Sequence, residues 1–76
     1  MDVRVLGTGC PKCRKLYAEA ERAIEMSGVE ATLSKVESID EIMEYGVMMT
    51  PALVIDGEVR SSGKALKAAQ IAEMLG

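Results

Sequence analysis

The sequence contains no phenylalanine, no tryptophan and no histidine, and its only aromatic residues are two tyrosines. Proteins that read nucleic acids stack bases on aromatic rings and present a basic face. With a net charge of −3 and no run of like charge longer than two residues, this chain offers neither. It also has only two cysteines. A structural zinc site takes four nitrogen or sulfur ligands, so two cysteines without histidine leave a two-coordinate or shared site at most. No stretch approaches the roughly 18 apolar residues of a membrane span, and the opening MDVRVLG lacks the basic start of a secretory signal. Repeats, low-complexity segments and linker-like stretches are missing too. We therefore expect one domain, residues 1–76, in a cytoplasmic monomer with no nucleic-acid or membrane partner.

What is present is globular in character: 49% of the 76 residues are hydrophobic and 28% charged. A domain of this length buries only about 60 to 65% of the surface its unfolded chain exposes. That leaves no room for a large substrate-enclosing cavity.

Val3 to Leu6 is short and apolar and ends at Gly7, which predicts a buried strand. From Pro11 to about Ser27, apolar residues recur at Cys13, Leu16, Tyr17, Ala20, Ala23 and Ile24, a helical spacing stopped by Gly28. Ala31 to Val36 alternates weakly and reads as a second strand. Ser38-Ile39-Asp40-Glu41 has the form of a capping box, with Ser38 capping a short helix to about Tyr45 and Glu41 returning the hydrogen bond. Ala52 to Ile55 is a continuous apolar run, suited to a strand buried on both faces. Asp56-Gly57 predicts a two-residue hairpin into a fourth strand over Glu58 to Ser61. In the last segment Lys64, Lys67, Gln70 and Glu73 form a polar stripe opposite Ala65, Leu66, Ala68, Ala69, Ala72 and Leu75, which predicts an amphipathic helix. The order βαβαββα gives an α/β fold with a four-stranded mixed sheet and three helices.

Both cysteines lie in Gly7-Thr8-Gly9-Cys10-Pro11-Lys12-Cys13, "GTGCPKC", between the first strand and the first helix. Open α/β sheets place their sites at the carboxyl ends of strands. Pro11 suits the first helical position, where its missing N–H costs nothing, and this makes Cys10 the cap. Unpaired N–H groups and the helix dipole favour a thiolate at Cys10. Residues three apart on a helix are close enough for Cys10 and Cys13 to bond after small rotations. Cys13, one turn in, falls on the apolar face. Cys10 then attacks and Cys13 resolves. A bridge closing so short a loop removes little unfolded-state entropy, so a structural staple is the weakest reading.

Gly7 and Gly9 fit neither phosphate-loop spacing and are read as letting a partner's backbone approach Cys10. Lys12, Arg14 and Lys15 read as the solvated face of the helix, with support for the Cys10 thiolate as the sharper alternative. Met43, Met48 and Met49 are candidates for a soft docking surface; core filling is the preferred reading for Met43, and both stand for Met49. Tyr17 and Tyr45 are expected to be partly buried with solvated hydroxyls.

"GTGCPKC" after a first strand, "TPALVIDGEV" leading into a hairpin, and "SSG" opening a last helix together resemble the thioredoxin superfamily. Nearest in pattern are the small thioredoxin-like or glutaredoxin-like redox disulfide proteins of archaea and anaerobic bacteria. The resemblance covers nearly the whole chain. It implies a minimal thioredoxin fold, a cis bond before Pro51, and a Thr50 backbone offered to the substrate strand. It also implies reversible dithiol–disulfide exchange with protein substrates, no cofactor beyond the Cys10–Cys13 pair, and a separate flavoprotein reductase. The substrate-facing set is then Gly9, Pro11, Lys12, Met49, Thr50, Pro51 and Ser62.

The departures from the family pattern are specific. Gly9 replaces the tryptophan of W-C-G-P-C, and Val5 and Leu6 supply no acidic residue beneath the second cysteine. Glutaredoxins hold glutathione with an aromatic after the proline and acidic residues opening the last helix; this chain has Lys12 and then Ser61-Ser62-Gly63-Lys64. Lys12 remains a partner for a glutathione carboxylate, so a glutathione-dependent enzyme stands as the weaker alternative. The alternative from another class is a copper or zinc carrier or sensor using the same two sulfurs.

Overall fold

The computed structural model describes residues 1–75. Strand β1 spans Asp2–Leu6, helix α1 Pro11–Ser27, β2 Thr32–Val36, α2 Ile39–Glu44, β3 Ala52–Ile55, β4 Glu58–Ser62 and α3 Ala68–Leu75. The strands form one sheet in the order β2-β1-β3-β4. β1 and β2 are parallel, while β1–β3 and β3–β4 are antiparallel. The expected element order and mixed sheet are both found.

Side chains alternate across a strand, and the two faces of the sheet carry separate cores. Val3, Val5, Leu53 and Ile55 point to one face, where Leu16, Ala20 and Ala23 of α1 and Ile71 and Leu75 of α3 cover them. Leu6, Ala52 and Val54 point to the other, against Ile42 of α2 and Val36. Every residue of β3 is buried, as its unbroken apolar run predicts. Full burial of a side chain such as Leu16, Leu53 or Ile71 contributes about 1.5–3 kcal/mol. Among the described residues, no helix is long and apolar enough to cross a membrane.

The hairpin turn is clipped to the start of the central strand. Asp56 (φ 50°) and Gly57 (φ 81°) both take positive φ, as a tight two-residue turn requires. The Asp56 N–H donates to the Asp2 carbonyl at 2.7 Å, and the Asp2 N–H donates to Asp56 Oδ1 at 2.8 Å. Farther along, Leu53 pairs with Ser61 but Val54 with Val59, so Arg60 is an extra residue that bulges β4.

Three local expectations are corrected. The last helix begins at Ala68 rather than after Gly63, and Ala69 is exposed. Leu66 drops into the main core from the segment before the helix, and Gln70 Oε1 accepts the Lys67 N–H at 3.1 Å, which fixes the helix start there. Tertiary anchoring outweighs the helical propensity of Lys64 to Lys67. Ser38 does hold the cap position of α2, its carbonyl accepting from Ile42 N at 3.0 Å, but its side chain makes no capping bond. Asp40 and Glu41 in the first turn face the positive end of the helix instead. Met43 is 67% exposed and fills no core. The Tyr45 hydroxyl accepts from Arg4 Nη1 at 2.7 Å, while Arg4 Nε donates to Asp2 Oδ2 at 2.9 Å. The Tyr45 bond, with the Asp2 charge, raises the Arg4 guanidinium above its ordinary pKa.

Asp56 fills two roles, tolerance of positive φ and acceptance of the Asp2 N–H, and the aspartate and asparagine side chains both supply them. Chemical denaturation of Asp56→Ala is expected to show a loss of about 1–2 kcal/mol, with Asp56→Asn close to the parent.

Candidate functional site

The sheet ends in one row. Val36 of β2 pairs with Leu6 of β1, Leu6 with Ala52 of β3, and Ala52 with Ser62 of β4. The residues just beyond that row, Glu37, Gly7, Pro51 and Gly63, are therefore neighbours at one end of the molecule. Backbone bonds tie them pairwise: Gly7 N donates to the Val36 carbonyl at 3.0 Å and Gly63 N to the Pro51 carbonyl at 2.7 Å. Gly9, Cys10, Pro11 and Lys12 follow Gly7, Met49 and Thr50 precede Pro51, and Ser62 closes β4. All the expected site residues thus come to the same end of the sheet.

Cys10 caps α1 in extended conformation with Pro11 at the first helical position. Its sulfur accepts the Cys13 N–H at 3.3 Å, and the Cys10 carbonyl accepts from Arg14 N at 3.0 Å. Cys13 is the first residue of the buried stripe that continues through Leu16, Ala20 and Ala23. Helical periodicity thus separates the two sulfurs: Cys13 is 5% exposed, while Cys10 is half-buried at the helix tip. They are joined as a disulfide, with Cα atoms 5.1 Å apart.

Gly7 is buried, and a β-carbon built on it would lie 2.9 Å from the Cys13 Cβ and closer still to its Sγ. The expectation that Gly7 admits a partner's backbone is corrected: the space belongs to Cys13 of the same chain. Gly9 is exposed, with φ +88°. Pro11 and Lys12 are exposed on the first turn, where α1 carries no acidic residue.

On the other side of the site the Thr50–Pro51 bond is cis; Thr50 is exposed and Pro51 buried. Met49 is 64% exposed and Met48 97% exposed. Met49 rests on Gly63, where an added β-carbon would meet its Cβ and Cε at 3.2 Å. Ser62 is exposed at the end of β4.

Beside Cys13 lies a cavity of about 210 Å³ lined by Val5, Gly7, Gly9, Arg14, Lys35 and Glu37 as well as Cys13. Sequence reasoning passed over Lys35 and Glu37. The rule that places sites at the carboxyl ends of parallel strands applies to β2 as much as to β1, and Glu37 is the first residue after β2. Lys35 also lies over the Tyr17 ring, 4.7 Å from its centroid.

An α/β sheet with a C-x-x-C disulfide at the strand-to-helix turn defines the class of protein dithiol–disulfide oxidoreductases. The thioredoxin-domain family matches residues 1–76, and the chain belongs to it. Over 75 residues it is 32% identical to a thioredoxin of Methanothermobacter thermautotrophicus, covering 99% of this chain and 97% of that protein. Over 73 residues it is 37% identical to a thioredoxin of Methanocaldococcus jannaschii, covering 96% and 84%. The fold is a minimal thioredoxin fold of three helices on a four-stranded mixed sheet.

Because the Cys13 side chain fills the space a β-carbon would need at Gly7, Gly7→Ala is an overpacking change and should cost about 1–3 kcal/mol in thermal or denaturant unfolding. Gly9→Ala meets only the Glu37 carboxylate, at an ordinary contact distance of 3.8 Å, and is strained by its positive φ, at about 1–2 kcal/mol. Gly7→Ala should also alter the rate at which the protein reduces a disulfide substrate.

Proposed function

We propose that this protein is an electron carrier that reduces disulfides of other proteins, with Cys10 as the nucleophile and Cys13 as the resolving thiol. The observation that carries this reading is the unequal placement of two bonded sulfurs. Cys10 lies at the exposed N-terminus of α1, and Cys13 one turn deeper in the core. In the reduced protein the unpaired N–H groups and the dipole of a 17-residue helix favour the thiolate at Cys10. That thiolate attacks a substrate disulfide and forms a mixed disulfide, releasing one substrate thiolate. Cys13 then attacks the Cys10 sulfur, releasing the second substrate thiolate and closing the internal disulfide. Two electrons pass to the substrate.

Gly9, Pro11 and Lys12 form the rim on the helix side, and Met49, Thr50, Pro51 and Ser62 the rim on the sheet side. The exposed Thr50 backbone is offered to an extended substrate segment, and Met48 and Met49 supply adaptable apolar contact beside it. The oxidised pair must be returned to the dithiol by a separate enzyme, and a flavoprotein reductase of the thioredoxin-reductase kind supplies electrons of the right class. The two archaeal relatives named thioredoxin support this assignment. We place the exchange in the cytoplasm, with the protein acting as a monomer.

Incubation with a disulfide-containing protein such as insulin tests the division of labour. Cys13→Ser should accumulate a covalent mixed disulfide, seen by non-reducing electrophoresis and released by dithiol. Cys10→Ser should form none, and the parent should turn over without accumulating it. Equal trapping by both variants, or normal turnover of Cys13→Ser, would overturn the assigned roles.

A further inference from the structure

Resolution of the mixed disulfide requires a thiolate at Cys13, since the thiol itself is a poor nucleophile. In the fold Cys13 is 5% exposed, enclosed by Gly7, by the α1 stripe and by the cavity at the end of β2. A proton leaving this sulfur has to go somewhere. The titratable and charged groups that line the cavity with Cys13 are Arg14 from α1 and Lys35 and Glu37 from the end of β2; β1 and the loop after it contribute only Val5, Gly7 and Gly9. The Arg14 and Lys35 side chains carry hydrogen-bond donors and no acceptor. Cys10 is occupied in the mixed disulfide. Glu37 is the one group in the cavity lining able to accept a proton.

Its position is held by the fold rather than by chance. Gly7 N donates to the Val36 carbonyl at 3.0 Å, which fastens the residue before Glu37 to the loop that carries the cysteines. The Glu37 carboxylate reaches that loop, with Oε2 3.8 Å from where a β-carbon on Gly9 would stand. The cavity of about 210 Å³ is large enough for several water molecules. Arg14 and Lys35 in the same lining hold positive charge beside the developing thiolate.

We infer that Glu37 is the proton acceptor for Cys13 during resolution, acting through water in the cavity at the end of β2. The inference rests on the resolving role proposed for Cys13. The step balances as follows: the Cys13 thiol gives its proton through water to the Glu37 carboxylate, and its sulfur forms a bond to the Cys10 sulfur. The Cys10–substrate bond breaks, and the substrate leaves as a thiolate carrying the electron pair. The substrate disulfide is the oxidant, and the proton returns from Glu37 to solvent or to the departing thiolate.

Stopped-flow reaction of the reduced protein with a symmetrical nitrothiobenzoate disulfide separates the two steps, because each releases one coloured aromatic thiolate. The first release is second-order and reports attack by Cys10; the second is first-order and reports resolution by Cys13. The aromatic leaving group needs no protonation, so the pH dependence of the second phase reads removal of the Cys13 proton. Glu37→Gln should leave the first phase unchanged and slow the second about tenfold or more near pH ~6.5. The gap should narrow as pH rises, because hydroxide then takes over removal of the proton. Glu37→Asp should recover part of the loss. Glu25→Gln, which removes the same charge on an exposed part of α1 distant in sequence, should track the parent in both phases.

Superimposable second-phase profiles for Glu37→Gln and the parent would overturn the inference while leaving the resolving role intact. A constant slowing at every pH would overturn it as well, since it would mark a structural effect. Absence of any second release from the parent protein would instead remove the resolving role of Cys13, and the role of Glu37 with it.

Discussion

The antiparallel pairing of β1 with β3, with Leu6 opposite Ala52, is the constraint on which the site depends. β1 is central and buried, and it hands the chain to the cysteine loop at its carboxyl end. β3 runs the other way, so the residues entering it, Thr50 and Pro51, arrive at that same end. A parallel β3 would have put them at the opposite end of the sheet. β2, parallel to β1, adds Glu37 from its own carboxyl end, and β4 adds Ser62 and Gly63. Three connections and one strand terminus converge because of strand directions alone, before any side chain is considered.

Within that frame, the inequality of the two sulfurs follows from helix geometry. A cap residue and the residue three positions later are near enough to bond, yet only the second lies on the stripe that faces the core. Pro11 fixes where the helix starts and hence which cysteine is the cap. Gly7 then makes room for the buried one. The loop has little latitude, since the space beside it is filled by the sulfur it serves.

Much of this was legible in the sequence because the chain is clearly punctuated. Gly28, Gly46 and Asp56-Gly57 stop or turn the elements where expected, and all three carry positive φ at those points. Pro11 marked the start of α1. The beginning of α3 was not legible: the segment Lys64 to Lys67 has helical composition, but Leu66 is buried in a core built by distant residues and the segment stays outside the helix. The partnership of Tyr45 with Arg4, 41 positions away, was hidden for the same reason. Exposed Met43 departed from the core expectation because α2 is only six residues long and buries Ile42 alone. In the site, the cysteines and the rim around Pro51 were readable from local motifs. The Glu37 side was missed, although its place directly after β2 puts it at the same carboxyl end of the sheet; what the sequence does not carry is the cavity it borders.

The membership of Cys13 in the stripe that includes Leu16, Ala20 and Ala23 ties electron transfer to folding by a thermodynamic cycle. The disulfide and the dithiol present different sulfur environments to the same core, so any difference in folding free energy between the two forms appears, with equal size, in the equilibrium between oxidised and reduced pair. For a two-electron couple about 1.4 kcal/mol corresponds to roughly 30 mV. Packing residues far from any substrate are therefore potentiometric residues as well. A family sharing this fold can retune its carriers for different electron donors by repacking the interior, with the exposed C-x-x-C surface left as it is.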